Sequence, residues 1–122
     1  MKFDKVITGG TVVTPSGTIE ADIGIAGDKI EAIGTDLSTD LGDAANGASL
    51  IDATGHYVIP GVLDVHVHLA LPFCGTVSSD DYLSGTRAAA RGGVTTLIDF
   101  AIPYEGDSLG DAADKWQKKA EG

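Results

Sequence analysis

A chain of 122 residues, 43% hydrophobic and 21% charged, is long enough for one ordinary domain or a piece of a larger one, and apolar enough to bury a core. Eighteen acidic against eight basic residues give a formal charge of −10, which argues against nucleic acid and against anionic membrane surfaces as partners. One cysteine, Cys74, excludes an internal disulfide and a structural zinc site built of several thiolates.

The N-terminus "MKFDKVITGG" lacks an apolar core of signal-peptide length, and no run approaches ~18 apolar residues. A cytoplasmic protein is therefore the expectation. From 3 to 34 the chain reads as short strands, β-branched pairs punctuated by Gly9-Gly10, Pro15-Ser16-Gly17 and Gly27-Asp28. Ile23 and Ile25 alternate as a sheet with one covered face requires. The polar, acidic stretch from Thr35 to Ser49 reads as a loop, and "LIDATGHYVIP" as a further strand closed by Pro60-Gly61.

The pattern then changes. "GVLDVHVHLAL" is nearly continuous apolar sequence, the mark of a strand covered on both faces. Ser78 or Ser79 offers an N-cap, with Asp80 and Asp81 suited to the positive end of a helix dipole. Tyr82, Leu83, Thr86, Ala89 and Ala90 share one helical face, and Gly92-Gly93 ends the helix. A second buried-type strand follows in "VTTLIDFAIP". Asp107 or Ser108 can cap a last helix whose Leu109, Ala112, Ala113, Trp116 and Ala120 form a core-facing stripe, with Lys115, Lys118 and Lys119 towards its C-terminal end. The order is a small all-β segment, then strand–helix–strand–helix, the opening of a β/α repeat.

On a strand, residues i and i+2 point the same way, so Asp64, His66 and His68 share one face and Val65, Val67 and Leu69 the other. Burying one acid and two imidazoles unpaired costs roughly 1–3 kcal/mol for each unsatisfied group. A metal ion resolves that: neutral imidazole is a common nitrogen ligand, and Asp64 can act from behind by orienting a ring N–H. Taken alone, His-x-His is a short pattern that matches by chance, and hydrogen-bonded core or surface histidines are its commoner origin. Here the pair ends a buried-type strand and runs at once into a glycine-containing loop and a helix, the place where β/α barrels build active sites.

"PGVLDVHVHL" followed by "LPFCGTVSSDDYLSGTRAAARGGVTTLIDFAIP" resembles the opening of the cyclic amidohydrolases, specifically the dihydropyrimidinases and D-hydantoinases, and the resemblance runs through essentially the whole chain. It implies an α/β fold: the start of a (β/α)8 TIM-type barrel over residues 59–122, preceded by a small β-sandwich segment over residues 1–58. It implies hydrolysis of the ring C–N bond of dihydropyrimidines and hydantoins to N-carbamoyl amino acids, at two Zn2+ ions. His66 and His68 match the first two ligands. Leu71 and Phe73 fall in the loop that lines the pocket for the substrate's 5-substituent. The family's bridging carbamylated lysine, its two further histidines and its proton-shuttling aspartate have no counterpart before Gly122. The catalytic groups are thus expected downstream, in a longer parent that is a homotetramer, and two βα units with two imidazoles are expected to be inactive by themselves.

Two rival readings differ in class. One is a non-catalytic dihydropyrimidinase-like scaffold protein, against which the presence of both His66 and His68 speaks. The other is a dihydroorotase- or allantoinase-type enzyme, disfavoured because Leu71-Pro72-Phe73 stands where those carry an acidic Glu-Pro-Gly type loop. His56 reads as a solvated residue before a strand, Asp99 as a buried hydrogen-bonding acid, Asp80 and Asp81 as helix-start charges, and Trp116 as core. Cys74 has no neighbouring cation in sequence to make it a nucleophile.

Overall fold

The β-branched residues from Lys5 onward form one ten-residue strand, β1 (Lys5–Thr14), and are not broken in two at Gly9-Gly10. The glycines make a bulge instead: the antiparallel register with β2 (Gly17–Ala26) slips between Ile7↔Ile23 and Gly10↔Ala21, and Gly9 adopts φ +70° there. Pro15 and Ser16 turn the hairpin, closed by Thr14 Oγ1 donating to the Gly17 carbonyl at 2.8 Å. After Gly27-Asp28, β3 (Lys29–Gly34) adds antiparallel to β2. The structure, a computed structural model, describes residues 2–121, which divide into two units, one ending at Pro60 and the other beginning at Gly61.

In the first unit the predicted loop contains two short 3-10 turns, Leu37–Asp40 and Ala44–Asn46. The chain then returns as β4 (Ser49–Asp52) and β5 (Tyr57–Val58), both parallel to β1. The single strand expected across "LIDATGHYVIP" is interrupted because Asp52 accepts from the Thr54 N–H and hydroxyl, at 2.9 and 2.6 Å, and turns the chain. Phe3, Val6, Val12, Ile23 and Ala53 are buried. The Phe3 ring lies flat on Gly24, where a Cβ would sit 2.7 Å from it, and backbone bonds to Asp40 and Gly42 hold Phe3 in place.

Where a sandwich is expected, the described residues of this unit form one layer. All five strands join one ladder through β1, in the order β3-β2-β1-β4 with β5 also on β1, so among the described residues of this unit no second sheet remains to face the first. Ile30, Ile33, Leu50 and Ile51 stay exposed.

The second unit begins with β6 (Val62–Val67), which pairs parallel with β9 (Val94–Asp99). Between them come a small hairpin, β7 (Pro72–Phe73) with β8 (Thr76–Val77), and the helix α1 (Tyr82–Arg91), which packs on β9. The last helix is α2 (Leu109–Ala120). The continuous apolar run predicts a strand covered on both faces, and the structure differs: Leu63 and Val65 of β6 are 59% and 61% exposed. A sheet of two strands has too few neighbours to cover them.

Helix α1 starts later than Ser78 or Ser79. Its cap is Asp81, whose carboxylate accepts from the Ser84 N–H at 2.7 Å while Ser84 Oγ accepts from the Asp81 N–H at 3.1 Å. Gly92 ends it. Leu69, just past β6, is buried with its side chain in the space that a Cβ at Gly85 of α1 would need. Ser108 caps α2, reciprocally with Asp111, while Asp107 forms a 2.6 Å ion pair with Lys115. Of the predicted stripe, Ala112 and Trp116 are buried and Leu109 is 80% exposed. Among the described residues no helix is long and apolar enough to cross a membrane.

Candidate metal centre

The parallel register of β6 and β9 sets Val67 beside Asp99 and so brings the C-terminal ends of both strands together. At that end the imidazoles of His66 and His68 converge, with their Nε2 atoms 3.2 Å apart. Zinc takes imidazole nitrogens at ~2.0–2.1 Å in a near-tetrahedral array, which separates two such nitrogens by about 3.3 Å. The pair therefore has the bite of a two-nitrogen chelate. The same separation also suits an N–H···N bond between opposite tautomers. Among the described residues no group of three or more His, Cys, Asp or Glu side chains comes together to hold a metal, so the two imidazoles fit a metal as part of a ligand set.

Asp64 bonds to the backbone of its own strand. Its Oδ1 accepts from the His66 backbone N–H at 3.1 Å, which pins the peptide that carries the first imidazole. Phe100 was not singled out in the sequence, yet its ring packs on His66 with centroids 4.4 Å apart and lies 5.9 Å from His68. The signal was available: Phe100 directly follows Asp99, the last residue of the strand that pairs in parallel with the histidine strand. Asp99 is hydrogen-bonded on both oxygens, accepting from the Phe100 N–H at 2.7 Å and from the Tyr82 hydroxyl at 2.5 Å. Burial first, then that bond to Asp99, raises the Tyr82 phenol above its ordinary pKa. Tyr82 thus stays a neutral donor.

The loop after His68 runs through Ala70 into the β7–β8 hairpin. Leu71 and Ser78 join its base, the Leu71 N–H donating to Ser78 Oγ at 2.9 Å and the Ser78 N–H to the Leu71 carbonyl at 2.8 Å. Cys74 and Gly75 form the two-residue turn, both at positive φ (+49° and +78°), as a hairpin with right-twisted strands favours. Leu71 is half-buried, and Phe73 and Cys74 are exposed. His56 lies in the first unit, its Nδ1 3.0 Å from the Thr54 carbonyl. Asp80 and Asp81 serve the start of α1, Asp80 Oδ1 accepting from Ser84 Oγ at 3.2 Å.

No protein-family model matches the chain. Individual relatives do. It is 48% identical over 118 residues to a D-hydantoinase of Geobacillus stearothermophilus, which covers 97% of this chain and 24% of the relative. It is 46% identical over 122 residues to a D-hydantoinase of Streptomyces coelicolor, covering 100% and 26%, and 41% identical over 116 residues to the dihydropyrimidinase of Rattus norvegicus, covering 95% and 22%. The chain spans about a quarter of the length of the curated relatives it matches. Among solved structures, the D-hydantoinase of Thermus sp. superposes with a TM-score of 0.86 at 38% identity, over 96% of this chain and 24% of that one. The D-hydantoinase of Bacillus sp. AR9 gives 0.81 at 50% identity, over 94% and 24%.

These neighbours place the mixed α/β chain among proteins of the amidohydrolase fold. Within that fold, its homologues in sequence are D-hydantoinases and dihydropyrimidinases, matched over about a quarter of their length.

Proposed function

We propose that this chain supplies one corner of the active site of a metal-dependent cyclic amidohydrolase, one that opens the ring of hydantoins or dihydropyrimidines to give N-carbamoyl amino acids. In this reading residues 59–122 are the first two βα units of a (β/α)8 barrel and residues 1–58 belong to a β-sandwich segment. The remaining strands cover the exposed faces of β6 and β9. The observation that carries the reading is the convergence of His66 and His68, Nε2 atoms 3.2 Å apart, at the C-terminal end of a parallel strand pair. The names of the relatives support the substrate class.

His66 and His68 would hold the metal, one ion of a two-zinc pair, with Asp64 fixing the His66 peptide and Phe100 walling the rings. Two nitrogens fall short of the three or four protein ligands zinc usually takes, so the other ligands and the proton-transferring group come from outside this chain. A bound zinc supplies Lewis acidity at the ring amide and a water acidified to a pKa near ~7. Leu71 and Phe73 present an apolar wall to the 5-substituent of an uncharged cyclic ureide. In the reaction the oxygen of one water bonds to the ring carbonyl carbon, the ring C–N bond breaks, and a proton from that water ends on the departing nitrogen. The working enzyme is a cytoplasmic homotetramer.

The test is metal content and ring opening in the intact protein. His66→Ala and His68→Ala should each remove zinc, measured by mass spectrometry of the metal. Each should also lower hydrolysis of dihydrouracil or hydantoin by about 100-fold or more, following the cost of removing a metal contact. Full zinc and full activity in the double variant would overturn the site.

A further inference from the structure

Between His68 and α1 the chain pivots on Ala70, an L-residue at φ +47°. That region is disfavoured for any residue with a Cβ, so something must hold it there. Both of its polar groups are held: the N–H donates to the Asp80 carbonyl at 2.8 Å, and the carbonyl accepts from Lys119 Nζ at 3.1 Å. Lys119 reaches this point from the last turn of α2, 49 positions further along the chain. Its ammonium stands 3.8 Å from the centroid of the Trp116 ring, and Trp116 is buried. A cation in the last turn of a helix ordinarily needs no partner beyond the helix dipole, and exposed Lys118 fills that role. Lys119 is half-buried and aimed, by the indole face beneath it, at one carbonyl.

We propose that Lys119 is a positioning residue that latches the Ala70 carbonyl and so fixes how the β7–β8 hairpin, with Leu71 and Phe73, is presented beside His68. The proposal rests on the reading above for its consequence, since Leu71 and Phe73 shape substrate choice only if the hairpin lines the pocket. Lys119 touches no substrate. Its effect is on which 5-substituents the wall accepts: a released hairpin admits bulky ones and contacts small ones less well, while the ring-opening step on an unsubstituted hydantoin is untouched.

The experiment uses the intact, zinc-loaded protein and chymotrypsin, which cuts after Phe73 only when the hairpin opens. Lys119→Met keeps the apolar stem and removes the donor, Lys119→Ala is a second variant that favours the helix, Lys119→Arg restores a donor, and Lys118→Met controls for lost charge. Cleavage after Phe73, followed by the mass of the released piece, should be about tenfold faster in Lys119→Met and Lys119→Ala, as expected when a charge-assisted bond to a locally opening segment is lost. Lys119→Arg and Lys118→Met should stay within about twofold of the parent. The ratio of KM for a bulky 5-substituted hydantoin to KM for hydantoin itself should shift about fivefold in Lys119→Met, with kcat on hydantoin within about twofold. Unchanged cleavage in both donor-deleted variants overturns the latch. Faster cleavage with an unchanged KM ratio supports the latch and overturns the assignment of the hairpin to the pocket.

Discussion

Residues 2–60 bury more apolar side chains than residues 61–121 do, although both leave large ones exposed. Phe3, Val6, Val12, Ile23 and Ala53 are buried in the first unit, against Leu69, Ala112 and Trp116 in the second, and the second unit's β6 has no buried residue. The two converging histidines lie in the second. Five strands on one ladder give a sheet enough neighbours to close part of a core, whereas two parallel strands with one helix on them do not. What the second unit has instead is local order: two capping boxes, a two-residue hairpin turn and paired hydrogen bonds around Ala70.

The difference can be broken most severely at Phe3. Phe3→Ala should destabilise the first unit by about 3–5 kcal/mol, read from the urea midpoint, because a buried ring over Gly24 is replaced by a cavity. A loss below ~1 kcal/mol would mean the sheet has no real core there. A smaller effect is expected from the second unit's local order. Asp81→Ala removes the α1 cap and should cost about 1 kcal/mol, seen as a lower melting temperature, with Asp81→Ser recovering most of it.

Acid should separate the units more gently. Asp81, Asp107 and Asp111 of the second unit all have carboxyls held below the usual range, by hydrogen bonds from Ser84, Lys115 and Ser108 respectively. In the first unit Asp52 is lowered by Thr54. A carboxyl whose folded pKa is depressed stabilises the fold fully above its unfolded value and loses that contribution as pH falls through the folded one. Helix signal from α1 and α2 should therefore weaken below pH ~4, ahead of the sheet signal of the first unit. Coincident loss of both would show that acid does not distinguish the units.

Much of this was legible because it follows from local chemistry. Strand parity put His66 and His68 side by side, Gly92 stopped α1, and Ser108 capped α2. The bulge at Gly9-Gly10 was misread as a strand break, since a glycine pair says that the backbone deviates without saying how. The start of α1 was placed too early because Ser78 is as good a cap as Asp81 by type, and only the fold shows that the Ser78 hydroxyl is already engaged by Leu71. Phe100 and Lys119 were illegible for a different reason. Their roles depend on contacts across 34 and 49 positions, to His66 and to Ala70, and no local pattern encodes them.

The contact of Leu69 with Gly85 carries one more consequence. One position lies in the loop that follows the second histidine and the other on the first helix, and they share a single volume. A larger residue at 85 requires a smaller one at 69, so the two sites are expected to co-vary across descendants of this sequence. Their combined size, more than either identity, is what selection would hold constant.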